Sequence, residues 1–181
     1  MMTKQRQQTA YDAMREAFAY TSPMQAPRVT KVVVSTGVGK KRDPKTVALI
    51  EDRLSRITGQ KPAPRTAKAS IASFKVREGD TVGLQATLRG SRMFDFLDKL
   101  IHIALPRTRD FRGIPVSAID DMGNITIGIK EHTIFPETSD EDLKDVFGLA
   151  ITIGTSATTK KEAEAFLRHL GLPLVEKNLK K

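Results

Sequence analysis

Three arginines fall within six residues at Arg107, Arg109 and Arg112, in the stretch Pro106-Arg107-Thr108-Arg109-Asp110-Phe111-Arg112-Gly113. Arginine presents a planar fork of N–H donors that matches phosphate oxygens two at a time. A second basic signal closes an alternating segment at Thr87-Leu88-Arg89-Gly90. The chemistry these residues can do is anion recognition. With a formal net charge of +9, the partner they imply is a nucleic-acid backbone, not a small metabolite. The arginine stretch has a structural use too. Asp110 can pair with one arginine and pin the loop while Phe111 is buried, so at least one arginine is expected to be structural and at least one to face outward.

The elements that hold these residues follow from pattern. A helix is predicted over 9–20 from Tyr11, Met14 and Phe18, and a β-branched strand over 28–36. Gly37-Val38-Gly39 turns the chain into the basic run Lys40-Lys41-Arg42. Asp43-Pro44 starts a helix with Val47, Ile50, Leu54 and Ile57 on one face, and Gly59 ends it. Residues 60–80 read as a long irregular segment carrying Lys61, Arg65, Lys68, Lys75 and Arg77, anchored by Ile71 and Phe74. Residues 81–89 alternate as a strand. Ser91 caps an apolar helix stopped by Pro106, in which His102 reads as a packing residue. Further strands are predicted over 124–131 and 149–155. An acidic helix over 138–146 carries a Thr138-x-x-Glu141 capping pattern, and Thr159-x-x-Glu162 caps a last helix closed by Gly171. The tail is basic.

A chain of 181 residues favours one domain, here with a flexible segment at about 61–80 and a flexible C-terminal tail. Its hydrophobic share of 39% and charged share of 28% are those of a globular protein. There is no cysteine, which excludes disulfide staples and thiolate metal sites and suits a reducing cytoplasm. No apolar run approaches a membrane span, and the polar N-terminus lacks the apolar stretch of a signal peptide. No membrane partner is expected.

Apolar helices between half-apolar strands imply an α+β fold. Its mainly antiparallel sheet is covered by helices on one face and open on the other. Alternation places Ser35, Gln85, Thr87, Arg89, Thr126, Gly128, Lys130, Thr152 and Gly154 on the open face. These residues are small or hydrogen-bonding, with basic groups toward the edges. Ser, Thr and Gln can donate to phosphate and ribose oxygens, and strand glycines admit a close backbone. An ordinary solvated face has the same look, and a one-residue slip of register would exchange the two sides. Aromatic residues make up only 6% of the chain, so a stacking platform for single strands is absent and folded RNA is the better fit. Carboxylates at Glu137, Asp140, Glu141, Asp142 and Asp145 would repel RNA and face water or a basic protein.

Catalysis has no constellation to stand on. Gly37-Val38-Gly39-Lys40 follows a strand, yet it fails the Walker pattern because Lys41 follows Lys40, and it fails the dinucleotide fingerprint because position 42 is Arg. His102, His132 and His169 have no zinc-site spacing, and no serine-nucleophile signature occurs. No cofactor and no metal are expected.

Several motifs in fixed order carry a resemblance. They are Gly37-Val38-Gly39, Ile57-Thr58-Gly59-Gln60-Lys61-Pro62, Phe74-Lys75-Val76-Arg77-Glu78-Gly79, Thr87-Leu88-Arg89-Gly90, the arginine stretch, Gly123-Asn124 and Ile134-Phe135-Pro136-Glu137. From about Tyr11 to Leu174 the chain resembles the bacterial ribosomal large-subunit protein five family. The resemblance implies a non-enzymatic constituent of the large subunit's central protuberance in the cytoplasmic ribosome. It implies 5S rRNA as partner, with 23S rRNA and other central-protuberance proteins nearby, a contact to the peptidyl-site tRNA, and a bridge to small-subunit protein thirteen. Carried over by position, Ser35 and Gly37, the Gly59-Gln60 turn, and Gln85, Thr87 and Arg89 lie toward 5S rRNA. Lys75, Arg77, Glu78, Gly79, Asp80 and Thr81 match the loop that reaches tRNA, and the stretch after Arg112, with the acidic patch, lies toward the small-subunit partner. Arg107, Arg109 and Arg112 are assigned to other RNA or to structure. The family usually has Asn where Ser35 stands, Phe-Asp-Gly where Ile119-Asp120-Asp121 stands, and Tyr at Ile125. Two alternatives remain at this point: a general RNA chaperone, and a phosphate-binding enzyme using the Gly37 to Lys40 turn.

Overall fold

The computed structural model describes residues 2–39, 43–109, 111–138 and 146–175. The Lys40-Lys41-Arg42 run, Asp110 and its pairing, the acidic helix with Asp140 to Asp145, and the basic tail lie outside the described residues. The fold is mixed α+β around a five-stranded antiparallel sheet. The strands are β1 (Val29–Gly37), β2 (Ala63–Thr66), β3 (Thr81–Leu88), β5 (Ile125–Ile129) and β6 (Leu149–Thr155), in the order β2-β3-β1-β6-β5. A short parallel pair joins β4 (Ile114–Pro115) to β7 (Leu174–Val175). The helices are α1 (Met2–Gln8), α2 (Ala10–Phe18), α3 (Pro44–Thr58), α4 (Gly90–Lys99), the turn α5 (Leu105–Arg107) and α6 (Lys160–Leu170). Among the described residues no helix is long and apolar enough to cross a membrane.

The chain divides into two compact units. One holds the described residues of Met1–Val32, Arg89–Ile127 and Thr152–Lys181; the other holds Val33–Leu88 and Gly128–Ile151. In the second unit, α3 buries Ile50, Leu54 and Ile57 and packs on β3. Leu84, Ala86 and Leu88 are buried, while Gly83, Gln85 and Thr87 between them stay partly exposed. The predicted alternation therefore holds in the predicted register.

The first unit is tied by polar clamps as well as by its apolar core. α6 buries Ala163, Phe166, Leu167 and Leu170. The largely polar α1 was not legible in the sequence because its partners are remote. Thr3 N donates to Asp98 at 2.8 Å, and the Thr3 hydroxyl donates to the same carboxylate. Arg6 Nη1 donates to Leu170 O at 3.0 Å, at the end of α6. Gln7 Oε1 accepts from Val29 N at 2.9 Å. At the start of α6 the Glu162 carboxylate accepts from the Tyr20 hydroxyl and from Thr158 N at 2.8 Å and Oγ1 at 3.0 Å.

Several expectations are corrected. Residues 60–80 are not irregular: β2 pairs antiparallel with β3, and Ile71 bridges Val76 beyond it. The two prolines around Ala63 hid the strand, because proline argues against one in sequence. Ile71 and Phe74 are exposed at 46% and 71%, so neither is a buried anchor. Arg89, not Ser91, occupies the cap position of α4, and Gly90 opens the helix at φ +63°. Pro106 lies inside α5, because a π-helical turn over Leu100–Ala104 carries the helix onward before the chain leaves it. His102 lies off the buried face formed by Leu97, Leu100, Ile101 and Ala104, so it is exposed instead of packed. Asp43 precedes α3 as predicted, yet its carboxylate meets Thr46 Oγ1 and caps no backbone amide.

The Glu162 clamp sets a pH dependence. Burial works to raise the carboxyl's pKa, but the Tyr20, Thr158 and Thr159 donors outweigh it and hold it below the usual 4.5. Its contribution is complete above the unfolded value and is lost as pH falls through the lower folded one. Tyr20→Phe should cost about 1–2 kcal/mol in urea unfolding at pH 7. The gap to wild type should shrink below about pH 4, where the carboxyl titrates in both states.

Candidate nucleic-acid interface

The second unit carries an open groove of about 480 Å³ between β1 and β3, reaching Gly148 and Leu149. Its shape comes from glycine. A side chain at Gly83 would bring Cβ to 3.0 Å of the Thr36 carbonyl, and one at Gly148 to 3.1 Å of the Ile129 carbonyl. Both distances are tighter than ordinary packing, so a side chain at either position would have to push its neighbour aside by a few tenths of an ångström. Val38 N donates to Val82 O at 2.9 Å and extends the β1–β3 pairing past Gly37.

Ser35, Gly37 and Gln85 meet at this groove. Arg65 lines it as well, with Nε donating to Gln85 Oε1 at 2.6 Å. The other predicted contacts on this unit continue along β3. Gly59 ends α3 at φ +66°, its N–H donating to Ser55 O at 2.8 Å. The Thr58 hydroxyl lies 2.7 Å from Leu54 O and 2.9 Å from Gln60 O, and Gln60 Nε2 donates to Thr87 O at 3.4 Å. The Gly59-Gln60 turn is thus fastened to the strand end that carries Thr87. Arg89 is exposed at the start of α4.

The 67–80 segment is a hydrogen-bonded excursion from the β2–β3 pair. Ile71 and Val76 exchange N–H···O bonds of 2.9 and 3.2 Å, and Ala67 N donates to Asp80 O at 2.9 Å. Asp80 Oδ2 accepts from Arg77 N at 2.9 Å, and Glu78 N donates to Ser70 Oγ at 2.9 Å. Gly79 sits at φ +89°, which favours glycine, and Lys75 turns the tip in the left-handed region at φ +52°. Thr81 begins β3. The predicted tRNA-loop residues therefore divide by role: Gly79, the Asp80 carboxylate and the Glu78 amide shape the loop, whereas the Lys75 and Arg77 side chains are exposed upon it.

In the first unit Thr126 is exposed and Thr152 half-exposed, with their hydroxyls 3.0 Å apart, and Gly128 on the other unit has open space where Cβ would stand. Gly154 corrects the expected open face. It is buried under the Thr30 and Lys31 side chains, and Thr30 Oγ1 donates to its carbonyl at 3.0 Å. Arg107, Arg109 and Arg112 are exposed and make no ion pair or side-chain hydrogen bond with a described residue. Phe111 is half-buried.

The sequence did not single out Arg65, Gly83 or Gly148 as parts of a site. Arg65 was visible only as one charge in a basic segment, since its position depends on the unrecognised β2.

Comparison with known proteins gives two family matches. The profile described as "Ribosomal protein L5" matches residues 22–77, and the profile of the C-terminus of the same ribosomal family matches residues 81–174. The chain is 44% identical over 174 residues to the large ribosomal subunit protein uL5 of Halothermothrix orenii, covering 96% of this chain and 97% of that one. It is 46% identical to the uL5 protein of Mycoplasma pneumoniae, covering 94% and 95%, and 48% identical to that of Syntrophomonas wolfei, covering 88% and 90%.

The arginine stretch yields a test. Gly113, at φ +95°, follows it where Ile114 N donates to Pro173 O at 2.8 Å, and a Cβ there would collide with Val175 Cγ2. Gly113→Ala should lower stability by more than about 1 kcal/mol in denaturant unfolding. Val175→Ala in the same chain should recover part of the loss, and the backbone conformation accounts for the rest.

Proposed function

Because the chain belongs to the ribosomal protein L5 family, and so is a structural, non-enzymatic constituent of the large subunit of the cytoplasmic ribosome, we propose that the open side of its β1–β3 region binds 5S rRNA. The observation that carries this reading is the groove itself. Ser35, Gln85 and Arg65 line it together with glycines and several apolar side chains, and among the described residues no acidic side chain does. Ser35, Gly37, Gln85, Thr87 and the Gly59-Gln60 turn supply donors and clearance, and Arg89 adds a cation at the end of the strand.

The excursion bearing Lys75 and Arg77 is the proposed contact to peptidyl-site tRNA. Its internal hydrogen bonds support a tip held ready with two cations displayed. The residues after Arg112 are the proposed side toward small-subunit protein thirteen, with 23S rRNA and other central-protuberance proteins adjacent.

Filter binding of the full chain to 5S rRNA over a range of salt tests the reading. Log affinity should fall with log salt by about 0.7 to 0.9 per phosphate neutralised, and a flat response would remove the electrostatic mechanism. Arg89→Ala should weaken binding more than Arg168→Ala. Arg168 is already engaged, donating to Glu164 Oε1 at 2.8 and 3.1 Å and to Leu174 O at 3.4 Å, so its loss is read in stability. Competition with bulk RNA separates this reading from a general chaperone, which would hold unrelated RNAs equally well.

A further inference from the structure

Resting on the RNA-binding reading above, we propose that the groove seats a single RNA backbone phosphate, and that Arg65 both contacts it and positions Gln85 for it. Strand register sets the geometry. Arg65 on β2 lies opposite Gly83 on β3, and Ala63 lies opposite Gln85. With no side chain at Gly83, the Arg65 stem can cross the strand diagonally and bring Nε to Gln85 Oε1 at 2.6 Å.

That contact fixes the glutamine without ambiguity. A guanidinium has donors and no acceptor, so the atom facing it must be the carbonyl oxygen. The Gln85 NH₂ is then turned away from Arg65. It makes no hydrogen bond with a described residue, nor does the Ser35 hydroxyl, and both residues line the groove. Arg65 keeps its terminal N–H groups and forms no ion pair with a described residue. The groove thus offers an amide NH₂, a guanidinium edge and a hydroxyl, and no described carboxylate lines it.

A site that mainly donates selects a group that only accepts. A phosphate diester has two unprotonated oxygens and a negative charge, and the guanidinium edge suits them. A ribose 2′-hydroxyl or a base edge also brings donors, which this arrangement serves poorly. The open space at Gly37 leaves room for the nucleic-acid backbone to approach.

The experiment measures binding of the full chain to 5S rRNA across salt for Arg65→Ala, Arg65→Lys, Gln85→Glu, Gln85→Ala and the double alanine variant, with thermal unfolding as a control for folding. Arg65→Ala should lose at least about tenfold in affinity and lower the log–log salt slope by about 0.7 to 0.9, the loss of one phosphate contact. Arg65→Lys should keep the wild-type slope and recover part of the affinity. Gln85→Glu should lose a similar factor while remaining folded, since its carboxylate can still accept from Arg65 but no longer donates. The double alanine variant should bind better than the two single losses multiplied together, because each residue acts through the other. Wild-type affinity in folded Arg65→Ala, or weakened binding with an unchanged slope, would overturn the phosphate seat. An Arg65 effect of equal size on 5S rRNA and on bulk RNA would overturn the 5S reading and leave the seat standing.

Discussion

A strand that buries every second side chain must dispose of the others, and the proposed RNA-binding face turns on how β3 does so. Leu84, Ala86 and Leu88 enter the core, which commits Gly83, Gln85 and Thr87 to the opposite face. Because the side-chain period is two, the core fixes which residues the proposed binding face carries, and a one-residue shift would exchange the two sides. Two of these three exposed positions carry polar groups, and the third carries nothing. The empty one lets the neighbouring strand come close at Thr36 and lets Arg65 lie across from the other side.

Polar residues in this protein do two different jobs, and hydrogen-bond partners distinguish them. Thr3, Arg6, Gln7, Tyr20, Glu162 and Arg168 spend their polar atoms on the chain itself, each closing a remote or terminal piece of the first unit. Arg107, Arg109 and Arg112 spend none on any described residue. Sequence cannot separate these classes, because an arginine looks the same whether it caps a helix or waits for an anion. Composition alone therefore overstates the available charge.

What was legible follows the same line. The strands β1, β3, β5 and β6 and the helices α3 and α6 were readable because each buries a periodic apolar face that needs no knowledge of its partner. The core half of every alternation was readable for the same reason, and with it Gln85 and Thr87 on the other side. What escaped depends on contacts distant in sequence: α1, which is polar and is held by Asp98 and Leu170; β2, which exists only because β3 accepts it; and Gly154, which lies open until Thr30 and Lys31 cross above it. His102 escaped because its apolar neighbours in sequence suggested packing, whereas it lies off the face that Leu97, Leu100, Ile101 and Ala104 bury.

The segment between β2 and β3 shows why length without apparent structure was a poor guide to order. Its apolar residues Ile71 and Phe74 bury little, so hydrophobic burial cannot hold it. Backbone bonds between Ile71 and Val76 and between Ala67 and Asp80, with the Asp80 carboxylate and the Ser70 hydroxyl on nearby amides, hold it instead. Such bonds contribute only about 1 kcal/mol each, so the tip is held less firmly than the apolar core of this unit. A surface organised this way keeps Lys75 and Arg77 displayed on a defined frame, yet can shift by small amounts without disturbing Leu84 or Leu88 beneath the sheet. The groove, by contrast, is built on strand backbone and bare glycine, so its shape is tied to the pairing of β1 and β3.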